Sequence, residues 1–246
     1  MSDVALVTGA AAGLGAVIAR AFHAAGYRTG FADLDGAGAK AAAQAVDPSG
    51  ATALGITLDV REQEDFEAAR DELVARWGSF EILVNNAATQ LATPLFDISP
   101  AEFNAVMMTN VSGTFIGSQV CGRYFQTRGY GRIVNLASLA GQNGGTATGA
   151  HYAASKGAIV TLTKVFARDL APFGVTVNAV APGPLDLPSV HRLVPAERLG
   201  PLIAAIPVKA LGDPAFIADI VVRFAARDAG FATGATWDIN GGLFMR

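Results

Sequence analysis

Short apolar runs alternate with amphipathic stretches along the chain. Runs rich in aliphatic and β-branched residues at Val4–Thr8, Thr29–Asp33, Ala53–Val60, Ile82–Asn85, Arg132–Ala137, Val175–Ala181 and Thr236–Ile239 read as buried strands. Between them apolar residues recur every three or four positions, the spacing that stacks side chains on one helix face. Leu14, Val17, Ile18, Ala21 and Phe22 make one such face, Phe66, Ala69, Leu73, Val74 and Trp77 a second, and Ile159, Leu162, Val165, Phe166 and Leu170 a third. The alanine-rich segment 37–44 reads as helix surface rather than linker. No composition break, fixed-period repeat or low-complexity tail interrupts the β-α-β-α rhythm. The pattern predicts a single α/β domain over residues 1–246, a doubly wound and mainly parallel seven-stranded sheet with helices on both faces.

Composition narrows the chemistry. Hydrophobic residues make up 51% of the 246 and charged residues 16%, the balance of a packed domain. The net charge of −3 is scattered along helix faces, with no Lys/Arg run that would mark nucleic acid or an anionic membrane surface. No run of 18 apolar residues predicts a membrane span. Val4–Val7 leads straight into a glycine motif without a cleavage region, so a cytoplasmic location is expected. The single cysteine, Cys121, excludes an intramolecular disulfide and a thiol-based metal cluster. His23, His151 and His191 match no zinc spacing, and no metal is expected.

In open parallel sheets ligands lie beyond the carboxyl ends of the strands, where strand order reverses. The segments that follow the strands are therefore the candidates: Gly9–Gly15, Asp33, Asp59-Val60, Asn85–Ala88, Ser138 and Pro182-Gly183. Thr8-Gly9-Ala10-Ala11-Ala12-Gly13-Leu14-Gly15 joins the first strand to the first helix, where glycines permit a tight turn and close approach of a pyrophosphate. Asp33, at the end of the second strand, can accept hydrogen bonds from adenosine ribose hydroxyls. A 2′-phosphate there would meet an opposition of about 2–4 kcal/mol at an effective dielectric near 20. NAD is thus expected over NADP. In isolation, a plain strand–helix turn and a solvated aspartate are the alternatives for these two features.

Tyr152 and Lys156 stand four apart at the start of the third helical pattern, which stacks them on one face. An ammonium about 4 Å from a phenol stabilises phenolate by up to about 4 kcal/mol, which would bring a tyrosine of ordinary pKa near 10 toward neutrality. The alternative is an ordinary solvated helix pair.

Taken together, the glycine loop, Asn85-Asn86-Ala87-Ala88, Asn110, Ser138, Tyr152/Lys156, Pro182-Gly183 and the closing Asn240-Gly241-Gly242 resemble the short-chain dehydrogenase/reductase family, in its compact single-domain branch with a Rossmann fold. The resemblance spans essentially the whole chain and implies hydride transfer between a secondary alcohol or ketone and NAD(H). It implies Tyr152 as general acid/base, Lys156 lowering its pKa and holding the nicotinamide ribose, and Ser138 donating to the substrate oxygen. Asn110 would anchor a water that links Lys156 to solvent. The implied cofactor contacts are Gly9, Gly13, Leu14, Gly15, Asp33, Leu34, Asp59, Val60, Asn86, Ala87, Tyr152, Lys156, Pro182, Gly183 and Leu185, with Asn85 toward the adenosine ribose. Two positions depart from the pattern. Ala88 replaces a usual glycine, and Leu187 stands where Thr or Ser often binds the nicotinamide carboxamide, leaving backbone groups or Ser189 to do so.

The proline-bearing stretch 185–209 reads as a substrate lid with an apolar wall of Leu187, Val190, Leu193, Val194, Leu199 and Leu202, although packing onto the sheet explains these residues as well. The glycine-rich bend 141–149 would form the opposite rim. Gln142 is the expected substrate contact there, with Leu187 and Val190 on the lid side, and Asn143 could serve similarly. Arg192 and Arg198 read as solvated arginines, with capture of a carrier phosphate as the alternative. A 3-oxoacyl-thioester (ACP or CoA) reductase is the second enzymatic reading; such relatives commonly use NADPH, which Asp33 opposes. A third reading is an NAD-binding sensor without turnover. A nucleophilic hydrolase is disfavoured because Ser138 has no Gly-x-Ser-x-Gly elbow. The resemblance also implies a homotetramer that packs through the helices around Ser112–Arg128 and Tyr152–Pro172 and the last strand.

Overall fold

The computed structural model describes residues 3–145 and 148–245, without the Leu193 side chain. Thr146 and Ala147 of the expected rim, and the Leu193 side chain of the expected apolar wall, lie outside the described residues. The chain runs β1 (Val4–Thr8), α1 (Gly13–Ala24), β2 (Arg28–Asp33), α2 (Gly36–Val46), β3 (Ala53–Thr57), α3 (Gln63–Trp77), β4 (Ile82–Asn85) and α4 (Pro100–Met107). It continues with α5 (Gly113–Arg128), β5 (Gly131–Leu136), α6 (Ala140–Asn143), α7 (Ala150–Leu170), β6 (Val175–Pro182), α8 (Pro188–Leu193), α9 (Ala196–Ala205), α10 (Pro214–Ala225) and β7 (Thr236–Ile239). The seven strands form one sheet of order β3-β2-β1-β4-β5-β6-β7. Every pairing in it is parallel.

Both faces of the sheet are covered, as parallel strands require. One core gathers Phe66, Leu73 and Trp77 of α3, Val120 and Phe125 of α5, and Ala167 and Leu170 of α7 against the sheet. The other gathers Ile18 and Phe22 of α1 with Ile217, Val221 and Phe224 of α10. Helix starts follow capping chemistry: the Asp35, Ser99 and Asp213 side chains accept from backbone N–H groups of α2, α4 and α10. Among the described residues no helix is long and apolar enough to cross a membrane.

One strand ends earlier than its apolar run suggests. β3 stops at Thr57: the Leu58 N–H still donates to the Asp33 carbonyl of β2 at 2.9 Å, and the chain then turns away through Asp59 and Val60. The Asp65 carboxylate accepts from the Asp59 N–H at 2.8 Å and the Glu62 N–H donates to the Asp59 carbonyl at 3.0 Å. Strand order reverses between β1 and β4, and the crevice above their carboxyl ends, Thr8 and Asn85, is where the candidate residues meet.

Candidate active site

The turn between β1 and α1 is built by glycines and locked from β4. Gly9 and Gly13 take φ of +67° and +58°, the left-handed region that favours glycine. Gly15 sits where a Cβ would overlap the Gly9 carbonyl oxygen and Asn86 Nδ2. The Asn86 amide donates to the Thr8 carbonyl at 2.9 Å and the Gly9 carbonyl at 3.3 Å, while the Thr8 hydroxyl oxygen accepts from the N–H groups of Asn86 and Ala87 at 3.0 and 3.1 Å. Helix α1 opens at Ala12 with no side-chain cap, so its first amides and positive dipole end face the crevice without a protein carboxylate.

Asp33 is fixed beside this turn. One carboxylate oxygen accepts from the Ala11 N–H and the other from the Asp35 N–H, both at 3.0 Å. Leu34 is exposed next to it, and Asp59 and Val60 follow β3 on the same side. The Arg61 guanidinium hydrogen-bonds Asp59 and holds its carboxyl below the ordinary value. An uncapped helix start, a glycine cradle and a fixed carboxylate at the end of β2 together fit a dinucleotide: phosphates at the amides, ribose at Asp33.

Of the two asparagines, Asn86 lines the crevice as expected, whereas Asn85 does not. Asn85 is 5% exposed, and its amide donates inward to Ser118 Oγ at 3.1 Å and Asn135 Oδ1 at 2.9 Å. It cannot reach a ribose, because burial forces its polar atoms to find partners between β4, α5 and β5. The Asn86 side chain braces the glycine turn. Ala88 keeps a negative φ, since Lys209 is the sole described non-glycine residue with positive φ, so alanine stands there without backbone strain.

Beyond the turn a cavity of about 860 Å³ opens, a volume ordinary for a small-molecule site. Its lining includes Ser138, Tyr152 and Lys156, together with Leu14, Pro182, Gly183 and Leu185 and with Leu187, Ser189 and Val190. Gly183 is required by close packing, since a Cβ there would stand 2.8 Å from Asn240 Cα. Tyr152 and Lys156 share a face of α7, and the Lys156 Nζ lies 5.6 Å from the Tyr152 ring centroid.

The electrostatics of this pair differ from the sequence expectation. Burial pushes the Tyr152 phenol up to about 12, opposed only by a hydrogen bond with Ser138. The lysine does not pull it down: Nζ donates to the Leu136 carbonyl at 2.6 Å, and burial lowers Lys156 to about 8. Desolvation therefore outweighs the helix-spaced cation, the reverse of the expected order. Ser138 Oγ accepts from the Ala140 N–H at 3.1 Å, which holds the serine at the start of α6 beside the phenol it hydrogen-bonds.

Asn110 is fully buried in a π-turn, Met108–Ser112, between α4 and α5. Its Oδ1 accepts from the Thr89 N–H at 2.7 Å, and its Nδ2 donates to the Thr89 carbonyl at 3.0 Å and Ser155 Oγ at 2.9 Å. These bonds turn the amide toward Thr89 and Ser155 rather than Lys156, so Asn110 braces the strand-end loop against α7. Gln142 is a further correction. It does not line the cavity; its amide donates to Asp238 on β7, whereas the adjacent Asn143 does line it.

His151 gave no sequence signal beyond its failure to match zinc spacing. It is fully buried, with Nδ1 accepting from the Tyr152 N–H at 2.9 Å and Nε2 at 2.8 Å from Glu102 Oε1. An accepting Nδ1 puts the ring proton on Nε2, which donates to the carboxylate. The bridge ties α4 to the first turn of α7, one residue before the phenol. Gln90, Thr148 and Arg192 also line the cavity; only Arg192 had been singled out in the sequence.

The fold and crevice define a dinucleotide-binding oxidoreductase of the doubly wound class. A family model described as enoyl-(acyl carrier protein) reductase matches residues 9–244. The 3-oxoacyl-(acyl-carrier-protein) reductase FabG of Escherichia coli (strain K12) is 34% identical over 98% of this chain and 97% of its own length. The acetoacetyl-CoA reductase of Shinella zoogloeoides is 37% identical over the whole of both chains, and the sorbitol dehydrogenase of Cereibacter sphaeroides is 32% identical over 98% and 97%. The chain belongs to the short-chain dehydrogenase/reductase family. It is an oxidoreductase acting on CH–OH groups with a nicotinamide cofactor.

Proposed function

We propose that the protein is an NAD(H)-dependent dehydrogenase that interconverts a small secondary alcohol and its ketone, with Tyr152 as general acid/base. The observation that carries the cofactor choice is Asp33, whose carboxylate is pinned to the Ala11 N–H where the adenosine ribose would lie. Gly9, Gly13, Gly15 and the first amides of α1 would hold the pyrophosphate, with Leu34, Asp59 and Val60 around the adenine. Leu14, Pro182, Gly183 and Leu185 would shape the nicotinamide side of the cavity. When bound, the nicotinamide supplies or accepts the hydride. Tyr152 gives its proton to a carbonyl oxygen in reduction and takes it back in oxidation. Ser138 donates to the same oxygen and stabilises the charge that develops there. Lys156 would hold the nicotinamide ribose hydroxyls. Asn110 and His151 act through other groups, the first by bracing Thr89 and Ser155, the second by fixing the first turn of α7.

Residues 185–209 are proposed as the substrate lid, with Leu187 and Val190 as its apolar contacts. The exposed Phe103, Met108, Phe115, Val165 and Phe173 on and beside α4, α5 and α7 support a homotetramer packed through these helices.

A second reading, reduction of a 3-oxoacyl thioester, is favoured by the names of the FabG and acetoacetyl-CoA reductase relatives. Turnover of secondary alcohols, ketones and acetoacetyl thioesters with each of NADH and NADPH, read by nicotinamide absorbance, separates the two. The proposal holds if simple ketones turn over with NADH; efficient turnover of thioesters with NADPH alone overturns it. Asp33→Ala is expected to shrink the NADH-over-NADPH preference in kcat/KM by about 10–100-fold, a part of the electrostatic opposition removed. An unchanged ratio would show that Asp33 does not read the ribose. Leu187→Thr adds one hydroxyl facing the cavity and is expected to lower the KM for NAD by about two- to tenfold, the worth of one net hydrogen bond. Identical kinetics would mean that position 187 has no bearing on the carboxamide.

A further inference from the structure

Acidic side chains are absent from the described lining of the cavity, and two cationic ones are present, Lys156 and Arg192. They are not equivalent. The Lys156 ammonium is buried and bonded to the Leu136 carbonyl. Arg192 stands exposed on α8, lines the cavity and makes no ion pair or hydrogen bond with any described residue. The acids nearest to it in sequence are Glu197 and Asp186; it pairs with neither, and Asp186 is bonded instead to the neighbouring His191 at 2.8 Å. The Thr148 hydroxyl, also in the lining, is withdrawn from solvent without a hydrogen-bond partner among the described residues, and Gln90, Asn143 and Ser189 add further donors. The same lining carries the Ser138–Tyr152 pair and apolar side chains, Leu139, Leu187 and Val190 among them.

From this arrangement we infer that Arg192 selects substrates bearing an anionic group, carboxylate or phosphate, separated by a short apolar segment from the carbonyl that meets Tyr152. The inference rests on the cavity being the ketone/alcohol site. A guanidinium offers a planar fork of donors that matches either anion, and it keeps its charge across the working pH range. A donor-rich cavity without a carboxylate imposes no charge repulsion on an anion, while a neutral ligand would leave the fork to water alone. Because Arg192 is exposed, its contribution should weaken as salt screens it.

The test uses matched pairs on the NADH-loaded enzyme: 4-oxopentanoate against its methyl ester, and acetoacetyl-CoA against the N-acetylcysteamine thioester of acetoacetate. Wild type should prefer the charged member of at least one pair. Arg192→Gln should cut the charged-to-neutral ratio of kcat/KM by about 10–100-fold, through KM, with Arg192→Lys between the two. The pair that loses its ratio identifies the source, carboxylate or phosphate. No charged preference in wild type, or a ratio that Arg192→Gln leaves unaltered, overturns the inference while leaving ketone reduction intact. If no ketone or thioester turns over, the reading of the cavity fails, and calorimetric titration of 4-oxopentanoate and acetoacetyl-CoA into the NADH complex decides. Binding that Arg192→Gln weakens at least tenfold sustains the anion site; equal binding in both proteins, or none in wild type, removes it.

Discussion

Tyr152→Phe is expected to lower kcat by about 10²–10⁴-fold, the usual worth of a positioned general acid/base, while NADH binding holds within about twofold. The substitution deletes one oxygen and leaves the ring packed between Ala140 and Ala153, so α7 and the glycine turn should be undisturbed. Burial holds the phenol protonated at neutral pH, with its pKa up at about 12, so the free enzyme presents the acid form that ketone reduction needs. Alcohol oxidation has to start from the phenolate and should accelerate as pH rises; the phenylalanine variant should lose that climb along with its rate. Steady-state rates in both directions over a pH series, beside a fluorescence titration of NADH, check both parts. A variant that keeps a tenth of wild-type turnover would put the proton transfer elsewhere.

The strands, the glycine turn and the spacing of Tyr152 and Lys156 were legible in the sequence because each is a local pattern. A period of two or 3.6 residues, or a glycine needing positive φ, is fixed by neighbours within one turn of chain. What could not be read was set by residues far away. The effect of Lys156 on Tyr152 depends on where the ammonium points, and it points at Leu136, on a strand twenty positions earlier. Asn85 and Asn86 look alike as a strand-end pair, yet one is drawn inward by Ser118 and Asn135 and the other toward Thr8 and Gly9. Gln142 was expected to meet substrate because it lies in the glycine-rich bend opposite the lid; a carboxylate on β7, 96 positions on, takes its amide instead. His151 acquires its meaning from Glu102, and nothing in the spacing of the two announces a bond across α4 and α7. Tertiary partners, rather than local propensity, orient buried polar side chains, and this is where sequence reading lost the site's detail.

Gly15→Ala is expected to destabilise the fold by about 2–5 kcal/mol, from overpacking of about 1–3 kcal/mol together with one or two disturbed hydrogen bonds of about 1 kcal/mol each. The new methyl would overlap the Gly9 carbonyl and Asn86 Nδ2, and those two atoms are bonded to each other, so neither can yield alone. Either α1 withdraws from β1, or the Asn86 amide releases the Thr8 and Gly9 carbonyls and the link between β1 and β4 opens. For a chain of this size the melting temperature should fall by roughly 5–20 °C. Both routes displace the uncapped amides of α1, so affinity for NADH should drop with stability. Gly13→Ala separates the causes. A Cβ at Gly13 would meet nothing within 4 Å, and only its φ of +58° opposes a side chain, a strain of about 1 kcal/mol. Calorimetric melting of the two variants therefore distinguishes close approach from backbone conformation. Equal losses would mean that the turn tolerates the overlap at Gly15 by a shift as small as the one Gly13 requires, and that the contact with Asn86 does not hold β1 and β4 together.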